Sequence, residues 1–420
     1  METKFYMKNR LRFFNHAEEN SLLFLYSGTA PVKSNDQKMH PFAVNRNFYY
    51  LTGIETQSVW LVLAKTAGTM AEYLFIDQPD EEIIRWNGKM LTKENAAARS
   101  GISISDVHYK QEMDRIVARL LGDRRNLAAG APAVCLSFDR LWMDSAPTQM
   151  EIYAKQLQEK YPFIQIKNIA PQLAALRSVK TAEEIQYIRK AGDVTIEGLR
   201  SMLRTAKPGE LEYQWAADYE YYVARAGLRN AFTTIAAAGP NATMLHYSDN
   251  NCTANAGDLI LFDLGAEYRN YSADVSRTFP VNGKFTTRQR ELFSIVREAM
   301  DVAKDKMRPG VPLPESNQAV IDFYKKALRT AKLISDDSDV RKYYYHGVSH
   351  SLGLDTHDPC AKAVYEPGMV ITCEPGLYIA EEGIGIRLEN DILVTEGAPE
   401  DLVGNRLLDM DEIEALMARG

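Results

Sequence analysis

Leu259-Ile-Leu-Phe-Asp263-Leu-Gly-Ala-Glu-Tyr268, followed by Tyr271-Ser-Ala-Asp274-Val-Ser-Arg-Thr-Phe-Pro-Val281, is the stretch that decides the fold. The two apolar runs read as a strand pair. Each carries one carboxylate, Asp263 or Asp274, in apolar surroundings where an unpaired charge is expensive. A second pair, Val370–Ala380 and Ile384–Val394, repeats the arrangement with Glu374 and Glu389. A turn centred on Tyr268-Arg269 sets Asp263 directly opposite Asp274. A turn centred on Glu381-Glu382 sets Glu374 opposite Glu389. Carboxylates facing each other at about 5 Å repel, so two such pairs call for cations or shared protons.

Working outward, each strand pair is preceded by the same elements. Thr181-Ala-Glu-Glu184 has the capping-box form and opens a helix through Ile185, Ile188, Leu199 and Leu203, which Pro208-Gly209 stops. A second helix runs from about Glu210 to Gly227. In the second half, Thr286-Thr-Arg-Gln289 opens a helix that ends before Pro309-Gly310, and another helix spans about Glu315–Ala331. His246 lies 17 residues before Asp263, and His357 lies 17 residues before Glu374. Helix, helix, histidine, hairpin, twice over, is the mark of an internal pseudo-two-fold repeat.

Upstream, Ser21–Tyr26, Val59–Ala64, Tyr73–Ile76 and Val134–Phe138 read as strands, and Met113–Leu121 and Met150–Leu157 as helices. This predicts an α/β N-terminal domain over residues 1–170 and a duplicated α+β domain over residues 171–420. His16, His40 and His108 are dispersed through the first part and form no cluster of catalytic residue types.

The hydrophobic content of 45% and charged content of 25% are those of a globular chain. A formal net charge of -7 argues against a nucleic-acid partner, because no basic excess exists to displace counterions. Cys135, Cys252, Cys360 and Cys373 have no CxxC spacing and read as free thiols. The first residues lack the apolar core of a signal peptide. The longest apolar runs, such as Leu22–Tyr26 and Val59–Ala64, fall far short of a membrane span. The expected location is the cytoplasm, with no membrane partner.

Four carboxylates with one histidine form an oxygen-rich donor set. Such a set suits manganese or magnesium more than a thiolate-type zinc site, with cobalt, iron and zinc as alternatives. Two divalent ions nearly cancel the four charges and acidify a shared water towards a hydroxide nucleophile.

Five blocks carry a family resemblance: Leu-Phe-Asp263-Leu-Gly-Ala-Glu-Tyr, Tyr-Ser-Ala-Asp274-Val-Ser-Arg-Thr-Phe-Pro, His346-Gly-Val-Ser-His350-Ser-Leu-Gly-Leu-Asp-Thr-His357-Asp, Glu374-Pro-Gly-Leu-Tyr378-Ile and Gly-Ile-Arg387-Leu-Glu389. Together they closely resemble the aminopeptidase P (Xaa-Pro aminopeptidase) family of pita-bread metallopeptidases. Asn47-Phe-Tyr-Tyr-Leu-Thr-Gly53 resembles that family's N-terminal domain. The resemblance implies release of the N-terminal residue from peptides with proline second. It implies that Asp263 chelates one metal ion, that His350 and Glu374 hold the other, and that Asp274 and Glu389 bridge both. By the same resemblance, Glu374 is the general base, His246 stabilises the scissile nitrogen and His357 polarises the carbonyl. His346 lines the proline pocket with Tyr378. Arg387 shares a strand face with Glu389 by alternation and is expected to orient that bridging carboxylate. Trp86, in Trp86-Asn-Gly-Lys-Met-Leu, resembles a segment that reaches a neighbouring subunit's site, which implies a homodimer or a dimer of dimers. Prolidase, acting on Xaa-Pro dipeptides, is the nearest rival reading. A non-catalytic pita-bread binding module is a more distant one.

Overall fold

The structure is a computed structural model, described for residues 2–34, 40–66, 68–122, 132–138 and 143–418. It divides into two compact units, Met1–Leu176 and Arg177–Gly420.

In chain order the N-terminal unit contains α1 (Thr3–His16), β1 (Ser21–Tyr26), α2 (Arg46–Thr52), β2 (Trp60–Thr66), β3 (Thr69–Ile76), α3 (Glu81–Asn87) and α4 (Lys93–Ser100). It continues with β4 (Val107–Tyr109), α5 (Met113–Gly122), β5 (Ala133–Leu136), α6 (Gln149–Lys160) and β6 (Gln165–Asn168), and α7 (Ala170–Ser178) runs across the division. The strands form one sheet in the order β4-β3-β2-β1-β5-β6. β1, β2 and β3 pair antiparallel, whereas β4, β5 and β6 join in parallel. Parallel neighbours require crossovers, and the helical segments between them provide these. β1, the central strand, is buried along nearly its whole length, and Leu22 and Phe24 share a core with Val62, Phe75, Val134 and Leu136. The expected α/β domain is what forms.

The C-terminal unit begins with α8 (Ala182–Leu203) and α9 (Glu212–Arg225), then β7 (Arg229–Asn230) and β8 (Ile235–Ala238). The first hairpin is built from β9 (Leu259–Leu264), β10 (Ala266–Tyr268), β11 (Tyr271–Ser272) and β12 (Val275–Pro280). The second half repeats the plan with α10 (Thr287–Lys306), α11 (Pro314–Thr330) and a short α12 (Val340–Tyr343). Its hairpin consists of β13 (Val370–Cys373), β14 (Gly376–Ile379), β15 (Ile384–Arg387) and β16 (Asn390–Leu393), and β17 (Glu400–Asp401) and α13 (Met410–Met417) follow. Both capping boxes form: Thr181 and Thr286 accept the amides of Glu184 and Gln289, whose side chains bond back. α8 packs on β10 and β11, and α10 packs on β13, β14 and β15, so each half buries its hairpin under its own leading helix. The duplicated α+β architecture is the one the element order predicts.

Both hairpins are broken where the carboxylates lie. At Gly265 a Cβ would stand 1.9 Å from the Ala273 carbonyl oxygen, so only glycine allows the strands to cross so closely there. Between β13 and β14 stands Pro375, which has no amide to give the ladder.

The register of the first hairpin corrects one expectation. Asp263 pairs with Ser276, not with Asp274, and Tyr268 pairs with Tyr271. The turn residues are therefore Arg269 and Asn270, with φ of 53° and 64°. Two central residues with positive φ make the tight hairpin turn whose twist matches that of the strands, and Asn accommodates it readily. Centring the turn one residue earlier moved the register by two. Because side chains alternate with a period of two, that error left every residue on its proper face. Asp263 and Asp274 are thus staggered along one face instead of directly opposed. In the second hairpin, Cys373 pairs with Asn390 and Gly376 with Arg387, so Glu374 and Glu389 stand opposite each other as expected.

Candidate metal centre

The two hairpins meet edge to edge. The Glu389 amide donates to the Ser276 carbonyl at 3.0 Å. The Thr278 hydroxyl and the Arg387 backbone bond each other across the same seam, and the Asp274 amide points at the Asp391 carboxylate at 3.3 Å. Residues 348–352 run beside β13, with bonds from Thr372 to His350 and from Glu374 to Val348. The two hairpins and the segment of residues 348–352 therefore bring Asp263, Asp274, His350, Glu374 and Glu389 to one place.

His350 Nε2 lies 3.4 Å from Asp274 Oδ2 and 3.6 Å from Glu374 Oε1. One ligand atom from each of Asp274, His350 and Glu389 falls within 4.8 Å of the others, with no ion present. Asp274 is 4% exposed and Glu389 2%. The Oδ1 atoms of Asp263 and Asp274 are buried and have no hydrogen-bond partner among the described residues. Buried carboxylate oxygens with nothing to accept are rare and costly, and a cation is the partner whose chemistry fits them.

The electrostatics agree. Burial first, then the charges of Glu389 and Asp263, push the Asp274 carboxyl well above the usual range. Burial and the charge of Glu374 do the same to Glu389. Burial, opposed by Arg387 and reinforced by Asp263, raises Glu374 to about 8. Without a cation, Asp274, Glu389 and Glu374 hold their protons more tightly than ordinary carboxyls do. His350 is lowered to about 4, by burial and then by neighbouring His357, so its ring is neutral. Its Nδ1 meets the Ser351 carbonyl at 3.1 Å, which assigns the proton to Nδ1 and leaves the Nε2 lone pair facing the carboxylates.

Around this set runs a network anchored on Arg387, which is 4% exposed. Its Nη2 donates to Asp263 Oδ2 at 2.6 Å, its Nε to Ser276 Oγ at 2.8 Å and its Nη1 to Tyr378 Oη at 3.1 Å. Ser276 passes the contact on, donating to Glu389 Oε2 at 2.8 Å. Arg387 was expected to orient Glu389. It does so only through Ser276, and its direct carboxylate partner is Asp263. Thr372 likewise joins the His350 amide to Glu374 Oε1. Ser276 and Thr372 escaped the sequence reading, although polar residues within strands otherwise apolar were a signal for both.

His346 Nε2 meets Tyr378 Oη at 2.9 Å, and its ring lies edge-on to Tyr344 at 5.1 Å. Burial, then Arg387, lowers His346 to about 4. Its 3.8 Å approach to Glu374 is therefore that of a neutral ring, not an ion pair. The His357 ring lies tilted against His350 with centroids 4.3 Å apart, and His357 is exposed, as is His246 on the loop after β8. Trp86 belongs to the other unit, where it is 81% exposed on α3.

Comparison with known proteins follows the same division. Residues 186–396 match the metallopeptidase family M24, and residues 6–128 match the aminopeptidase P N-terminal domain. The chain is 31% identical over 433 residues to an Xaa-Pro aminopeptidase of Haemophilus influenzae, covering 98% of this chain and 96% of that one. It is 31% identical over 437 residues to the Xaa-Pro aminopeptidase of Escherichia coli, covering 98% and 97%. Among solved structures, proline aminopeptidase P II from Yersinia pestis superposes with a TM-score of 0.89 at 30% identity, covering 100% of both chains.

Proposed function

The chain belongs to metallopeptidase family M24, and from that premise we propose that it is an Xaa-Pro aminopeptidase. It is a metal-dependent hydrolase that releases the first residue of peptides whose second residue is proline. The observation that carries this reading is the cluster itself: buried carboxylates with unsatisfied oxygens facing the free Nε2 of a neutral histidine.

We assign Asp263, Asp274, His350, Glu374 and Glu389 as ligands of two divalent ions, with manganese first among the candidates. When bound, such ions supply the Lewis acidity that activates water and polarises the peptide carbonyl. Everything else falls to the chain. Glu374 accepts the proton from the attacking water and returns it to the departing proline nitrogen. His246 bonds the scissile nitrogen, which in an Xaa-Pro bond has no hydrogen of its own to align the substrate. His357 stabilises the oxyanion as it forms. The neutral His346 ring, with Tyr378, offers a flat wall to a proline ring. Arg387 holds Asp263 and Tyr378 in fixed relation.

Two finer assignments belong to the same proposal. The exposed Trp86 is assigned to a contact in a homodimer or dimer of dimers. The cytoplasm is assigned as the location, supported by four cysteines that all remain free. Among the described residues, no helix is long and apolar enough to cross a membrane.

The deciding experiment compares Xaa-Pro dipeptides with Xaa-Pro-Yaa tripeptides on protein loaded with manganese, cobalt, zinc, iron or magnesium in turn. Release of the first residue from tripeptides is expected, highest with manganese. Turnover confined to dipeptides would overturn the assignment in favour of a prolidase.

A further inference from the structure

His246 and His357 are exposed residues, and each stands one residue before a buried anchor. After His246 comes Tyr247, buried, whose hydroxyl donates to Glu212 Oε2 at 2.8 Å. Glu212 opens α9 and has no exposed surface. Its Oε2 also accepts the Cys252 amide at 2.9 Å, and its Oε1 accepts the Ala238 amide at 2.7 Å and Asn241 Nδ2 at 2.9 Å. A carboxylate offers about four lone-pair positions, and here all four go to the segment between β8 and Cys252. Each is a charge-assisted bond, about twice as strong as a neutral one. Trp215, Tyr219 and Val223 join α9 to the core, so Glu212 is free to serve the histidine loop alone.

The second half uses different chemistry at the same place. After His357 comes Asp358, buried, with Arg177 Nη2 at 2.6 Å and Lys180 Nζ at 3.2 Å. Its carboxylate also accepts the Asp355 amide at 3.1 Å, and its own amide donates to the Ser351 carbonyl at 2.8 Å. The turn from Ser351 to Asp358 is thereby closed on itself and fastened to residues 177–180.

We propose that Glu212, acting through Tyr247, and Asp358, clamped by Arg177 and Lys180, are positioning residues that aim the His246 and His357 rings at the scissile peptide. This rests on the reading that both histidines touch the substrate. An exposed side chain inherits its aim from its own backbone, and that backbone is fixed by the residue that follows it. Displacing a reacting group by about 1 Å costs on the order of a hundredfold in rate, so loosening one anchor registers in turnover before it registers in the fold.

The test is a pair of double-mutant cycles. Tyr247→Phe keeps the ring and deletes the hydroxyl's bond to Glu212, along with the long 3.5 Å bond it accepts from the Asn251 amide. It is expected to lower kcat on an Xaa-Pro-Yaa tripeptide about tenfold and to change KM less than about twofold. In a His246→Ala background the same substitution is expected to cost nothing further. In a His357→Ala background its full effect is expected to remain. Lys180→Met is expected to behave in the mirror sense, losing its effect only when His357 is absent. Glu212→Gln turns an amide on two of its donors and is expected to cost more than Tyr247→Phe. Losses that multiply in every background, or a Tyr247→Phe protein as active as its parent, would overturn the positioning role while leaving the histidine assignment intact. A fully active His246→Ala protein would remove the histidine's role and this inference with it.

Discussion

Arg387 Nη2 lies 2.6 Å from Asp263 Oδ2, while Oδ1 of the same carboxylate is buried without a partner among the described residues. One oxygen is anchored and the other is left open, which suits the ligand role proposed for Asp263. Lysine has no fork with which to reach Asp263, Ser276 and Tyr378 at once. Arg387→Lys is therefore expected to weaken metal affinity and kcat/KM, each by about 10–100-fold. Metal titration followed by steady-state kinetics at saturating metal separates the two losses.

Removing the metal should destabilise the protein in a pH-dependent way. The ordinary value for the Glu374 carboxyl is 4.5, and in the metal-free fold it is raised to about 8, with Asp274 and Glu389 raised as well. A raised carboxyl stabilises the fold fully below its unfolded value, and that contribution is lost as pH rises through the folded value. The metal-free protein should thus lose stability between about pH 4.5 and 8, the interval over which metal binding strengthens as protons leave. The gain in Tm on adding manganese is expected to grow from pH 5 to pH 8, measured by thermal unfolding with and without chelator. A gain that stays constant over that interval would contradict the proton-loaded cluster.

Asp358 should control sensitivity to acid. Burial alone would raise its carboxyl, but Arg177 and Lys180 hold it below the ordinary 3.8. A depressed carboxyl stabilises the fold above its unfolded value, and that contribution is lost as pH falls through the lower folded value. Asp358→Asn leaves two buried cations short of their counter-charge, and is expected to cost about 3–5 kcal/mol at pH 7. The deficit relative to the parent should shrink below about pH 4, as urea unfolding series at pH 7 and pH 3.5 will reveal.

Gly385 predicts a link that no chemical motif announces. A Cβ there would lie 2.0 Å from the Ala242 carbonyl oxygen, on the short turn that leads to His246. Gly385→Ala must push that turn outward, at about 1–3 kcal/mol for the overpacking. The kcat should fall with metal content unchanged, as metal analysis beside kinetics will test.

Much of this was written openly in the chain. Helix starts were legible because Thr181 and Thr286 carry their capping partners three residues on. The carboxylates were legible because acids inside apolar strands are conspicuous. The stagger of Asp263 and Asp274 was not legible, because it depends on whether the turn begins at Tyr268 or Arg269, and hydrophobic alternation reads both alike. Ser276 and Thr372 were hidden for another reason. Ser276 matters through the seam between hairpins, where it bonds Glu389 far along the chain, and Thr372 through the segment beside β13, where it joins His350 to Glu374. Tyr247 and Asp358 stood beside the histidines in plain view, yet what marks them is burial against Glu212, Arg177 and Lys180.

The duplicated hairpins are not interchangeable. Glu374 faces Glu389 squarely, whereas Asp263 is set two residues along from the partner its counterpart would have. Two ions held by this frame would sit in unlike surroundings, one beside the Nε2 of His350 and the other against the arginine-tethered Asp263. They should not leave together. Stopped-flow chelation is expected to run in two phases, with a half-loaded species persisting between them, and gene duplication would then have yielded two affinities from one repeated module.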